Sequence, residues 1–382
     1  MTSTEAAARF YTNKFGAEPQ AIAYAPGRVE IMGNHTDYNG GYVLPAALDK
    51  ATVLAGGLSG SDTCTLYAAD FERTASFNVH RPQADPGNSW ASYVMGVVKE
   101  LGQLGIVLRG FNAVIHSDVP AGAGLSSSAA LEVATALLLR ELCPFEMEPM
   151  DVAKICQRAE NEFVGVNCGI LDQFSSVFGQ QDSLLFLDCK TLDHDIVKMG
   201  RSDISIVICD SNVKHALTGG DYNTRRAECM AAANHFGKDL LRDVSIETFE
   251  SRKQELPNNQ KKRAEHVLYE NARVLSMCDA IKGTDTGAIG VLLAQGHASC
   301  RDLFENSTPE IDALVEIAVS IPGCYGAKLT GGGWGGSTVN LVETAAADAF
   351  MLQLNEGYRR RVGKTASIYL SRAGIGAHSY KL

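Results

Sequence analysis

Residues 120–132 read PAGAGLSSSAALE, a loop of small residues that runs directly into a helix, with Leu125 the only bulky side chain in the loop. The first backbone N–H groups of a helix have no intrahelical partners. Gly122 and Gly124 let a ligand come close to that backbone. Together with the helix dipole this suits phosphate, so Gly122, Ala123, Gly124, Leu125, Ser126, Ser127 and Ser128 form a candidate phosphate-binding segment. Ser128 and Glu132 are four apart and share one helix face. A hydroxyl and a carboxylate there could hold Mg²⁺, which takes hard oxygen ligands. A serine-rich helix cap followed by a solvated Glu would use the same residues, although Glu132 lies three after Ala129 and completes no capping box.

Two other glycine segments need separate readings. Thr330–Ser337 is TGGGWGGS, and Gly331, Gly333 and Gly336 match GxGxxG. It leads into the strand pattern Thr338–Val342, whereas a dinucleotide fingerprint leads into a helix. No HRD or DFG sequence supports a protein-kinase loop. A flexible turn between two strands remains, able to approach a ligand or another backbone. Gly357–Thr365 (GYRRRVGKT) has five residues between its glycines and leads from helix to strand, against both requirements of a Walker A loop.

Strand patterns surround these segments at Ala21–Tyr24, Val43–Pro45, Ala51–Ala55, Cys64–Ala68 and Phe111–His116, then at Leu184–Leu187, Ile204–Cys209, Gly326–Leu329 and Ser367–Leu370. Helical periodicity runs through Ala91–Gly102, Ala129–Leu142, Asp151–Val164, Thr224–Asn234, Lys261–Cys278 and Ile311–Ile321. Mixed order without strict βαβ alternation implies an α+β fold. The 382 residues suit two domains, expected at 1–197 and 198–382. A net charge of −10 argues against nucleic acid or a membrane surface as partner, and nothing points to an obligate protein partner. The ten cysteines form no CxxC and no zinc spacing. With no signal-like apolar run and no stretch of about 18 apolar residues, a cytoplasmic location is expected.

The densest polar stretch lies near the N-terminus. Residues 25–45 read APGRVEIMGNHTDYNGGYVLP, in which Arg28, Glu30, Asn34, His35 and Asp37 could replace water around sugar hydroxyls. A polar turn at Asn39-Gly40 would account for part of it. With PAGAGLSSSAALEVA, GAKLTGGGWGG, VNCGILDQFSSVFG (166–179) and SNVKHALTGGDYNTRRAEC (211–229), the chain resembles the galactokinases of the GHMP small-molecule kinase family along nearly its full length. Five blocks in the right order carry the resemblance.

The resemblance implies two α+β domains with the active site in the cleft between them, and phosphoryl transfer from ATP to the anomeric hydroxyl of a galactose-type sugar. The 122–128 loop would wrap the ATP phosphates, with Ser128 meeting Mg²⁺. Trp90 and Tyr93 would line the base pocket, unless they are a core aromatic pair. Arg28, Asn34, His35, Asp37, Gly169 and Tyr222 would hold the sugar, and Asp172 would be the catalytic carboxylate beside Arg28. Asp172 also stands out without the resemblance, as a charge among Ile170, Leu171, Phe174, Val177 and Phe178. Such a carboxylate needs a partner or a shifted pKa, although an N-cap before Gln173 would use it too. The chain departs from the family pattern at Glu30, usually Asn, and at Asn34, usually the Glu that reads the sugar's C6 hydroxyl. Asp221, Trp334 and Ser337 are milder changes from Glu, Phe and Cys. The departures make weaker reading of C6 by Asn34 the expectation, with Glu30 restoring the charge if it reaches the same pocket. They also keep a kinase for a C6-modified sugar such as galacturonate open as an alternative. A sensor without turnover would not need Asp172.

Overall fold

The computed structural model describes residues 1–201, 203–214 and 220–382; residues 215–219 of the 211–229 block lie outside the described residues. The strands are β1 (Ala21–Met32), β2 (Tyr42–Leu58), β3 (Thr63–Ala68), β4 (Arg73–Asn78), β5 (Phe111–Ser117), β6 (Ser183–Asp188), β7 (His194–Lys198), β8 (Ile204–Lys214), β9 (Cys324–Thr330), β10 (Gly335–Glu343), β11 (Ser367–Ser371) and β12 (His378–Lys381). The helices are α1 (Ser3–Phe15), α2 (Ala91–Gln103), α3 (Ser127–Leu142), α4 (Pro149–Arg158), α5 (Leu171–Phe178), α6 (Gly220–His235), α7 (Ile246–Arg252), α8 (Asn258–Lys282), α9 (Thr286–Ser299), α10 (Pro309–Ser320) and α11 (Ala347–Val362).

An eight-stranded sheet runs β12-β1-β2-β5-β3-β4, with β6 pairing β2 and β7 pairing β6. The strand period of two sends successive side chains to opposite faces. Ile22, Val53, Ala55 and Val114 meet Ala7 and Tyr11 of α1. Ala21, Ala23, Leu54, Ala113 and Ile115 face α2, α3 and α4 on the other side. Covering both faces explains why β1 and β2 are apolar almost throughout rather than alternating.

The second sheet has the order β11-β8-β10-β9. One face packs Val207, Cys209, Leu329 and Val342 on α10 and α11. Its other face brings Ile206, Ile208, Val339 and Leu341 into one core with Val29, Ile31, Leu44, Ala46 and Leu48 of the first sheet. The two sheets are thus joined through β1 and β2. The last strand, β12, returns to pair with β1.

Helix α8 fixes the polar segment between β1 and β2. Glu270 accepts the Gly33 N–H at 2.9 Å, and Asn271 accepts the Tyr42 N–H at 2.8 Å. His266 Nε2 meets the Asn34 carbonyl at 2.9 Å, while its Nδ1 meets the Ser299 hydroxyl. Both ends of the 33–42 turn are therefore held by one helix of the other half of the chain. Burial alone would raise the pKa of Glu270, but Arg273, Lys328, His266 and the Gly33 N–H pull it down to about 2.

A depressed carboxylate stabilises the fold above its unfolded pKa, and that contribution fades as pH falls from about 4.5 to about 2. Glu270→Gln should cost about 1.5–3 kcal/mol at neutral pH and less near pH 3. Urea unfolding of both proteins at the two pH values checks this; an equal cost at both would remove the charge from the explanation.

Candidate active site

A cavity of about 430 Å³ opens where the two sheets meet, and its walls include β1, the 122–128 loop, residues 166–172, Tyr222 and the β9–β10 turn. Its volume is that of a small-ligand site.

The loop wall begins with its carbonyls. Arg28 Nη1 donates to the Gly124 carbonyl at 2.7 Å, the Arg28 N–H to that of Leu125, and the Ser337 hydroxyl to that of Ala123. Three successive carbonyls are thus tied back into the protein. In trans peptides the N–H opposes the C=O, so the N–H groups of Gly124, Leu125 and Ser126 turn the other way, at the start of α3. Gly124 has φ +74°, and a Cβ on Gly331 would lie 2.8 Å from its carbonyl oxygen. The two glycine segments therefore touch backbone to backbone. Free N–H groups at the start of a helix suit an anion.

The remaining wall is polar and charged. Arg28 Nε and Nη2 reach Asp172 Oδ1 at 2.8 and 2.7 Å, and the Ser126 hydroxyl donates to Asp172 Oδ2 at 2.6 Å. Asp172 sits in the first turn of α5 and does not cap it. Asp37 packs against Gly169, where a Cβ would meet Asp37 Oδ2 at 1.9 Å. Burial raises the pKa of Asp37 to about 6, with Asp172 adding to the rise and Arg28 and Arg226 opposing it. His35 lines the cavity with both nitrogens engaged, by the Tyr38 hydroxyl at 3.0 Å and the Gly332 carbonyl at 2.9 Å. Burial lowers its pKa to about 3, so the imidazole is neutral. Tyr222 stands 5.4 Å from its ring.

Gly122, Gly124, Leu125, Ser126, Ser127, Ser128, Tyr93, Arg28, His35, Asp37, Gly169, Asp172 and Tyr222 line this cavity. Four expected residues do not. Ala123 is buried and contributes through its carbonyl. Trp90 packs beside α2 against the first-sheet core. Asn34 is fully buried, its Nδ2 donating to the Gly331 carbonyl at 2.9 Å and its Oδ1 taken by Lys328. It does not line the cavity, and the expectation that it reads C6 is corrected. Glu132 does share a helix face with Ser128, but α3 is buried there. Burial and the neighbouring Glu160 raise its pKa well above the ordinary range, and its carboxyl is bound by Gln173. Glu132 does not line the cavity, so its expected role as a Mg²⁺ ligand is corrected as well.

Sequence reasoning missed Glu160. The pattern over Asp151–Val164 suggests one helix, whereas α4 ends at Arg158 and Ala159–Val164 is a π turn, a feature that recurs at functional sites. It brings the Glu160 carboxylate to the cavity that Ser128 also lines, where Gln173 Nε2 donates to it at 2.7 Å and the Cys168 thiol at 3.5 Å. Burial, with Asp172 nearby, raises its pKa to about 7.

Three family models match: the galactokinase galactose-binding signature over residues 9–58, the GHMP kinases N terminal domain over 92–180 and the GHMP kinases C terminal domain over 277–360. The galactokinase of Mannheimia succiniciproducens is 41% identical over 384 residues, spanning 99% of this chain and 100% of that protein. The chain belongs to the galactokinase family. The galactokinase of Homo sapiens is 41% identical over 378 residues, covering 97% of this chain and 95% of its own. The crystal structure of Lactococcus lactis galactokinase complexed with galactose matches with a TM-score of 0.94 at 33% identity, over 99% of this chain and 100% of that one. Methanococcus jannaschii mevalonate kinase shares the fold, with a TM-score of 0.68 at 20% identity over 93% and 98% of the two chains. The α+β class and the two-domain GHMP kinase fold are those expected of the family.

Gly169→Ala should force Asp37 aside and destabilise the protein by about 1–3 kcal/mol, the usual cost of overpacking. Denaturant unfolding checks it; a loss under about 0.5 kcal/mol would mean that Asp37 turns away freely.

Proposed function

We propose that the protein is a galactokinase that transfers the γ-phosphoryl group of ATP to the C1 hydroxyl of galactose, giving galactose 1-phosphate and ADP. The observation that carries this reading is the Arg28–Asp172–Ser126 junction, where an anion-binding loop meets a polar pocket. In this reading the loop N–H groups hold the phosphates of ATP and Tyr93 lies toward its base. Arg28, Asp37, Gly169, His35 and Tyr222 surround the sugar. Asp172 orients the C1 hydroxyl and takes its proton as the new O–P bond forms and the bond to ADP breaks. Arg28 stays beside the transferred group and offsets its charge. Ser128 and Glu160, two hard oxygens that line the cavity beside the loop, would hold Mg²⁺, which neutralises phosphate charge. A galacturonate would bring another carboxylate into a cavity that already contains Glu30, Asp37, Glu160 and Asp172, which favours a neutral sugar.

Asp172→Asn should lower turnover by at least about 10²-fold while calorimetry finds ATP and galactose affinities within several-fold. A variant retaining a tenth of the wild-type kcat would refute the assignment of Asp172. Ser128→Ala and Glu160→Gln should each raise the Mg²⁺ concentration needed for half-maximal rate, whereas Glu132→Gln should leave it unchanged. The reverse pattern would return the metal to Glu132.

A further inference from the structure

Among the described residues, Glu30 is the one carboxylate lining the cavity that the proposed reaction does not use. It lies on β1 two residues after Arg28, in an unbroken stretch of pairing with β2. The strand period therefore sends both side chains to the same face, about 7 Å apart along the strand. Its backbone is fixed at both polar groups by Thr330, whose hydroxyl takes the Glu30 N–H at 3.0 Å and donates to its carbonyl at 3.1 Å. The residue is 4% exposed and lines the cavity, yet Oε1 has no hydrogen-bond partner among the described residues. The nearby cation, Lys328, is engaged by Asn34 and by the Leu329 carbonyl. Leaving a buried carboxyl oxygen without a partner is unfavourable, so this position is held ready for a group that enters the cavity.

We propose that Glu30 is a specificity-determining residue that hydrogen-bonds a sugar hydroxyl on the side of the ring away from the reacting C1 hydroxyl. The inference rests on the galactokinase reading, because Arg28 and Asp172 fix which end of the cavity holds C1. Glu30 then stands about one strand repeat farther along β1, within reach of the hydroxyls at C3, C4 or C6 and not of the one being phosphorylated. Burial raises its pKa to about 8 against the pull of Lys328 and Arg28. A protonated carboxyl offers one donor and further acceptor capacity, which a hydroxyl matches in both directions.

The test measures equilibrium binding and kcat/KM for galactose and for its 3-, 4- and 6-deoxy analogues, in wild type, Glu30→Gln and Glu30→Leu. Glu30→Leu should weaken galactose binding about tenfold, and Glu30→Gln, which keeps a donor and an acceptor, by no more than about threefold. One of the three analogues should bind about tenfold worse than galactose to wild type but no worse than galactose to Glu30→Leu. Affinity for ATP, measured in parallel, reports whether each variant is folded. If Glu30→Leu binds galactose like wild type, or if every analogue loses the same factor in both proteins, Glu30 does not read the sugar. A wild type that phosphorylates galactose alongside either result overturns this inference alone. A wild type that phosphorylates no galactose overturns the functional reading beneath it.

Discussion

The guanidinium of Arg28 is the point on which the site depends. It bonds Asp172 through two nitrogens and the Gly124 carbonyl through the third, so one planar group sets the spacing between the carboxylate on α5 and the loop before α3. Lys could not reproduce this fork. The Ser126 hydroxyl closes the arrangement from the loop side. Arg28 itself lies on β1, and its backbone N–H is also bonded to the loop at Leu125. Chemistry that relies mainly on positioning is thus built into the β1 backbone.

The charge balance follows from that geometry. The cavity gathers Glu30, Asp37, Glu160 and Asp172, while among its described lining residues Arg28 is the one Lys or Arg. Burial raises the pKa of Glu30 to about 8, of Glu160 to about 7 and of Asp37 to about 6, so the site carries less negative charge at neutral pH than its residue count implies. A polyphosphate entering it still meets carboxylates. In the proposed reading the N–H groups of the loop would offset that repulsion, together with a divalent cation held by Ser128 and Glu160.

Much of this was legible in the sequence where local rules decide it. Small residues before a helix identify the 122–128 loop, the strand after Gly336 gives the β9–β10 turn, and an Asp among apolar residues calls for a partner such as Arg28. Three readings failed for physical reasons. Spacing of four linked Ser128 to Glu132, but α3 is buried on nearly all sides, so a shared face meant the core. The π turn at Ala159–Val164 breaks the period from which Glu160 would have been placed. Asn34 lies beyond the end of β1 at Met32, where the alternation that aligns Glu30 with Arg28 no longer holds. That alternation was available in the sequence and was the signal for Glu30. The contacts from α8 to Gly33, Asn34 and Tyr42 span more than two hundred residues, and no local pattern announces them.

The central claim is that this cavity phosphorylates galactose at C1. The direct measurement is ADP release from ATP and Mg²⁺ over a panel of free sugars, with the product from each active sugar analysed by phosphorus and proton NMR. Stoichiometric ADP and galactose 1-phosphate are expected from galactose, with much slower turnover of galacturonate. No ADP from galactose, faster turnover of galacturonate, or phosphate at a carbon other than C1 would contradict it.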